Sequence, residues 1–227
     1  MTGTLYLVAT PIGHLRDITL RAIETLKSVE LVAFEDTRQT VKLLNHYEIR
    51  KPLVSLHDHN ERQRTPELIE KLKGGQSVAL VCDGGTPLIC DPGWWLVHQA
   101  LEEGIAVEWI PGATALVGGL ALSGLPTDRF VFEGFLPIKP GARRKRLEAL
   151  KQEERTVVLY ESPHRVVKTL QAIQEVIGDI EISCSRELTK KFEETQRGRV
   201  SALLAHFERH PPRGEFVLVL SPPRHAS

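Results

Sequence analysis

Val81-Cys82-Asp83-Gly84-Gly85-Thr86-Pro87-Leu88-Ile89-Cys90-Asp91-Pro92-Gly93 is the stretch on which the reading of this chain turns. An apolar run, Val78 to Cys82, empties into paired glycines and then into a helix entry. Such a loop either brings backbone amides and carbonyls to a ligand or is a long structural turn, because glycine pairs also serve geometry alone. It matches neither GxGxxG nor GxxxxGK[ST], which argues against a nucleotide held by its pyrophosphate. Further apolar runs at Leu5 to Thr10, Leu31 to Phe34, Leu53 to Leu56 and Ala106 to Ile110 are separated by amphipathic stretches. That alternation predicts an α/β sheet. The runs are nearly unbroken, as in mostly parallel strands buried on both faces. Helix punctuation agrees: Thr65-Pro66 reads as N-cap and first helical residue, Gly74-Gly75 as a stop, and Asp91-Pro92 with Gly104 as the frame of the next helix.

Two more loops leave strands in the same way. Thr10-Pro11-Ile12-Gly13-His14-Leu15-Arg16-Asp17 is a tight turn before a helix, with Asp17 either its cap or part of a site. Ile110-Pro111-Gly112-Ala113-Thr114-Ala115-Leu116 enters a small-residue helix, Leu116 to Ser123, with Thr114 either its cap or a hydroxyl for a ligand. In a parallel sheet three such loops converge beyond the carboxyl ends of the strands, where ligands bind. Polar clusters follow two strands: Glu35-Asp36-Thr37-Arg38 and Glu161-Ser162-Pro163-His164-Arg165. Asp36, and Ser162 with Pro163, also suit helix capping, whereas Arg38 and Arg165 do not.

The Pro/Gly-marked stretch from Leu125-Pro126 to Lys139-Pro140-Gly141 places a domain boundary at 125/126, giving domains 1–125 and 126–227. Beyond it the pattern predicts a polar helix Ala142 to Gln152, a strand Val157 to Tyr160 and a helix from Pro163 to about Ile177. A strand Glu181 to Ser185, a polar hairpin-like segment through Arg199, a helix Val200 to Phe207, a strand Phe216 to Leu220 and a loose tail from Pro222 to Ser227 follow. Lys plus Arg and Asp plus Glu both number 29, so any contact with a polyanion must rest on local patches. Arg143-Arg144-Lys145-Arg146 is such a patch or else a solvated helix face. Three cysteines without paired spacing fit a reducing compartment. His57-Asp58-His59 lacks the partner ligands of a metal site, so no metal is expected. Residues 1–4 carry no basic region and the following apolar run is too short for a signal or membrane segment, so the expected location is cytoplasmic with no membrane contact.

ThrProIleGly with ArgAsp at 10–17, GluAspThrArg at 35–38, HisAspHisAsn at 57–60, the 83–93 loop and GluGlyPhe at 133–135 stand in a recognisable order. With GluSerProHisArg at 161–165 and ArgGluLeuThrLys at 186–190, the chain resembles the ribosomal RNA small subunit methyltransferase I family of the tetrapyrrole methylases, from about Gly3 to Leu220. The resemblance implies the two-domain α/β fold of class III methyltransferases. The N-terminal sheet would be mostly parallel, the C-terminal sheet mixed, and the donor would lie between the domains. It also implies a cytoplasmic homodimer that transfers methyl from S-adenosylmethionine to a cytidine 2′-hydroxyl in the decoding region of small-subunit ribosomal RNA, within the assembled subunit. Carried over by position, the cofactor residues are Pro11, Gly13, Asp83, Gly84, Gly85, Thr86, Pro87, Gly112, Ala113, Thr114, Tyr160 and Leu188. Arg16, Arg38, Glu133, Arg143, Arg144 and Arg165 fall to the substrate. Departures from the family pattern are Gly85 for Ala, Cys90 for Ser or Asn, Ala113-Thr114 for Pro-Ser, and the bulky Trp94-Trp95. Many members also continue into a helical C-terminal extension where this sequence stops, a difference expected to bear on RNA docking more than on chemistry.

A ribose hydroxyl needs a proton acceptor within reach, and Glu161, His164, Glu35 and Asp36 are the candidates. The competing readings are a same-fold methylase acting on a tetrapyrrole or protein side chain, and a non-catalytic RNA-binding or ribosome-assembly module.

Overall fold

The computed structural model describes residues 2–222, so all of the expected tail except Pro222 lies outside the described residues. The chain divides after Thr114 into two compact units, Met1–Thr114 and Ala115–Ser227.

The first unit alternates strand and helix: β1 (Thr4–Val8), α1 (Leu20–Ser28), β2 (Leu31–Phe34), α2 (Thr37–His46), β3 (Leu53–Ser55), α3 (Glu61–Lys73), β4 (Val78–Leu80), α4 (Trp94–Glu102) and β5 (Ala106–Ile110). The strands form one sheet in the order β3-β2-β4-β1-β5, every pair parallel. Two apolar layers cover it. Val8, Val32, Phe34, Ala79 and Val81 pack with Ala22, Leu26, Leu43 and Leu44 of α1 and α2 on one face. Leu5, Leu31, Ala33, Val78 and Leu80 pack with Leu68, Leu72, Leu96 and Ala100 of α3 and α4 on the other. Because successive side chains of a strand face opposite layers, burial on both sides requires the unbroken apolar runs of the sequence.

Two expected helix starts are corrected. The helix read as beginning at Thr65-Pro66 begins at Glu61, with Pro66 inside it. A turn over His57 to Asn60 starts it early: Asn60 Oδ1 accepts from His57 N–H (2.8 Å), and His57 C=O accepts from the amides of Asn60 and Glu61. Thr65 then donates its hydroxyl to Glu61 C=O instead of capping. Asp17 is not a cap either. It ends a short 3-10 turn, Leu15–Asp17, that His14 caps, and α1 is capped by Thr19 (Ala22 N–H to Oγ1, 3.1 Å).

The second unit contains α5 (Ala115–Leu122), β6 (Phe130–Phe135), α6 (Pro140–Leu150), β7 (Thr156–Glu161), α7 (Val166–Val176), β8 (Glu181–Arg186), β9 (Glu194–Arg199), α8 (Val200–Arg209) and β10 (Phe216–Leu220). Its sheet, β6-β7-β10-β8-β9, is mixed: β6 and β7 are parallel and the other pairs antiparallel. Its core joins Leu147, Leu159, Leu170, Ile173, Phe207, Phe216 and Leu218. The division falls after Thr114 and not at 125/126 because α5 is fastened at both ends to this unit. Leu116 N–H donates to Tyr160 Oη (3.0 Å), and Arg197 donates twice to Leu122 C=O (2.8 and 2.6 Å). The strand β6, inside the stretch read as a linker, was not expected. Residues 163–165 form a turn, so α7 starts at Val166 and not at Pro163, with Ser162 C=O accepting from the amides of Arg165 and Val166.

Candidate functional site

All five strands of the first unit point the same way, so the loops after β1, β2, β4 and β5 emerge at one end of the sheet. Hydrogen bonds fasten them together. Thr10 and Gly85 exchange backbone bonds of 2.8 and 3.0 Å, and the Thr10 hydroxyl donates to Cys82 C=O (3.2 Å). Thr86 Oγ1 donates to Ala113 C=O (3.5 Å), joining the β4 loop to the β5 loop. Asp83 Oδ1 accepts from Asp36 N–H (3.0 Å), joining it to the β2 loop. Two glycines permit this approach. A Cβ on Gly84 would lie 3.2 Å from Pro11 C=O, and one on Gly112 would lie 2.9 Å from Ala9 Cβ. Thus Pro11, Asp83, Gly84, Gly85, Thr86, Gly112 and Ala113 are brought together, with Pro87 buried beside Thr86 and Gly13 and Thr114 on the same loops.

The far end of the 83–93 loop is anchored by a residue that the sequence reading passed over. Glu61 Oε1 accepts from the amides of Gly93 (3.1 Å), Trp95 (2.7 Å) and Leu96 (3.4 Å). A carboxylate at these donors satisfies the open amino end of α4 and its partial positive charge. The sequence carried no signal for it, since the helix was expected to start at Thr65-Pro66 and Glu61 fell outside it. Between the two anchors the backbone is strained: Leu88 and Cys90 hold φ of 76° and 66°. Glu187 and Thr189, on either side of Leu188, do the same at 51° and 64°. Bulky residues in this region cost about 1–3 kcal/mol each and gather where function demands them.

Carboxylates crowd this end of the sheet. Burial and then the charges of Asp91, Asp83, Asp58 and Asp36 raise the pKa of Glu35 to about 7. Asp91 is raised to about 6, chiefly by burial. Asp36 moves down instead, because Arg38 donates to it through its side chain and its backbone (2.7 Å to N–H). It is the N-cap of α2, so capping accounts for it and its ion pair accounts for Arg38. Burial pushes the Cys82 thiol up, which leaves it a protonated packing group. Among the described residues no group of three His, Cys, Asp or Glu side chains could hold a metal ion.

In the second unit, Glu161 is buried and its two oxygens are engaged, one by Ser162 N–H (2.9 Å) and the other by Thr169 Oγ1 (2.6 Å). Arg165 Nε lies 3.3 Å from Glu161 Oε1 as an ion pair, and Arg165 Nη2 donates to Leu136 C=O. This knot ties β7 to α7 and spends groups that the sequence had offered to catalysis and phosphate binding. His164 beside it is exposed. Glu133 is held by Arg146, and Arg144 by Glu148 and Glu175, so half of the basic run is neutralised within the unit. Arg16 is exposed with no ion pair among the described residues. Tyr160 caps α5 through its hydroxyl and packs its ring edge-on against Phe132, and Leu188 is buried near Gly118 of the same helix.

Comparison with known proteins identifies the family. The family model for tetrapyrrole (corrin/porphyrin) methylases matches residues 4–204. The chain is 53% identical over 220 residues to ribosomal RNA small subunit methyltransferase I of Synechocystis sp., covering 96% of this chain and 79% of that one. It is 48% identical over 219 residues to the protein of the same name from Thermotoga maritima, covering 96% and 98%. Among solved structures, a diphthine synthase superposes with a TM-score of 0.75 at 17% identity over 97% of this chain and 90% of that one. A Thermus thermophilus uroporphyrin-III C-methyltransferase complexed with S-adenosyl homocysteine gives 0.67 at 20%, covering 96% and 97%. These structural likenesses describe the fold.

Proposed function

We propose, from the premise that this chain belongs to the tetrapyrrole (corrin/porphyrin) methylases and within them to the ribosomal RNA small subunit methyltransferase I family, that it methylates small-subunit ribosomal RNA at the 2′-hydroxyl of a decoding-region cytidine. The methyl donor is S-adenosylmethionine. The observation that carries the reading is the fastening of the β1, β2, β4 and β5 loops around Gly84, Gly85 and Thr86. On the same family grounds the substrate is the assembled subunit and the enzyme a cytoplasmic homodimer.

The residues present fit such a donor. The fastened loops expose Asp83 and Gly84, and the strained Leu88 and Cys90 lie on the same loop. Pro11, Gly13, Asp83 to Pro87 and Gly112 to Thr114 would hold it, with backbone groups and the Asp83 carboxylate as polar partners. When bound, the donor supplies a sulfonium methyl that is displaced in line. The protein's share is to align the acceptor oxygen and to accept its proton. Glu35 is the acceptor in this reading, because it is half-buried at the mouth of these loops and changes charge near neutrality. Glu161 is a positioning group that holds the 162–165 turn on α7. Arg16 offers its charge to a phosphate. Titration calorimetry with S-adenosylmethionine tests the site. Saturable binding is expected, weakened by Asp83→Ala, and no binding to the unmodified chain would sink the enzyme reading.

A further inference from the structure

The side chains of Trp94 and Trp95 belong to none of the roles above, yet they open α4 directly after the 83–93 loop. Helices between parallel strands run back against them, so the start of α4 stands at the same end of the sheet as the fastened loops. Trp94 is 64% exposed, unusual for so large an apolar ring. It is also held flat. One turn on, the His98 ring stacks on it with centroids 5.1 Å apart and planes at 7°, and Trp95 leans on it at 5.7 Å. The exposed Arg62 carries its guanidinium over the Trp95 ring, 5.2 Å from the centroid, and forms no ion pair among the described residues.

We propose that Trp94, backed by His98 and Trp95 and flanked by the Arg62 cation, is a stacking platform for an unpaired RNA base. An exposed, rigid aromatic face beside a guanidinium is what single-stranded nucleic acid engages through its bases. Electrostatics favours a base over a phosphate here. Asp91, three residues earlier, and the Glu35, Asp58 and Asp83 carboxylates with which it interacts repel a bare phosphate chain, whereas a neutral base meets an aromatic ring without that penalty. The rival occupant is a second copy of the chain, since Leu101, two turns further along α4, is also 61% exposed.

The proposal rests on the RNA reading above, and steady-state kinetics on undermethylated small subunits separates the two. Trp94→Ala should raise KM for the subunits on the order of tenfold, leave KM for S-adenosylmethionine unchanged, and be largely rescued by Trp94→Phe. Leu101→Ala should behave as the unmodified chain, and neither alanine variant should change the sedimentation coefficient. A Trp94→Ala variant with native circular dichroism and unchanged subunit KM overturns the platform while the methyltransferase reading stands. If Trp94→Ala and Leu101→Ala both shift sedimentation and subunit KM together, the face is a self-contact and the proposal fails. If the unmodified chain labels no RNA, the platform and the RNA reading fall together.

Discussion

Glu35 carries the sharpest residue-level consequences. Its carboxyl titrates near 7 in the folded chain because burial and four neighbouring carboxylates disfavour its charge. As a proton acceptor it works only when ionised, so kcat/KM for methyl transfer should rise with pH through about 7 and then level off. Glu35→Gln should lower kcat by roughly 10²–10⁴-fold and flatten that limb. An unchanged profile in the variant would remove Glu35 from the chemistry. The stability effect has a definite sign. Between the ordinary value of 4.5 and about 7 the folded chain keeps a proton that the unfolded chain has released, so stability falls as pH rises across that window. Glu35→Gln should abolish this part of the pH dependence in urea melts. Glu161 is a buried carboxylate whose hydrogen-bond and ion-pair partners are in place. Removing a buried partner leaves uncompensated charge, so Glu161→Ala should destabilise by about 3–5 kcal/mol in urea melts. Arg165→Ala should likewise lower stability, and a variant of native stability with selectively poor RNA turnover would restore the substrate role read from sequence.

At the level of elements, Glu61 joins the opening of α3 to the opening of α4 and so roots the 83–93 loop. Glu61→Ala should destabilise by about 1–2 kcal/mol, as loss of a helix cap does, and weaken S-adenosylmethionine binding in calorimetry. Glu61→Gln keeps an acceptor oxygen and should restore much of both. Equal binding by all three proteins would show that the loop needs no such root. Leu31 to Phe34 was legible to the residue because burial on both faces writes itself as an unbroken apolar run, and the edge strand Ala106 to Ile110, though mostly exposed, was also read to the residue. Helix starts were read less well, Val200 excepted, since turns and side chains outside the periodic segment decide them. The 57–60 turn overrode Thr65-Pro66, Thr19 replaced Asp17, and α5 joined the second unit through Tyr160 and Arg197. At the site, loop positions of Pro11, Gly84 and Gly112 follow from strand order, whereas the pairing of Arg144 with Glu175 and of Glu133 with Arg146 depends on contacts that local sequence does not encode; Arg38 and Arg165 pair within their own clusters, with Asp36 and Glu161.

For the whole molecule, charge is balanced, and internal pairing of Arg144 and Arg146 leaves Arg143 and Lys145 as the two cations of the basic run with no ion pair among the described residues. Counterion release should therefore be small. Affinity for small-subunit RNA should fall only about tenfold between 50 and 200 mM salt, as expected for roughly two phosphate contacts, and a loss near 10³-fold would mean that the basic run binds RNA after all. Two α/β units with a wholly parallel first sheet are the fold of the tetrapyrrole methylases, which proteins named for ribosomal RNA and for uroporphyrin-III share, so the fold alone does not name the substrate. Labelled methyl transfer from S-adenosylmethionine to undermethylated small subunits, naked small-subunit RNA and a tetrapyrrole precursor, run side by side, tests the central claim. The account predicts label in RNA of the assembled subunit, at a site whose ribose then resists alkaline cleavage. Label confined to the tetrapyrrole, or to an RNA base whose ribose remains alkali-labile, would contradict it.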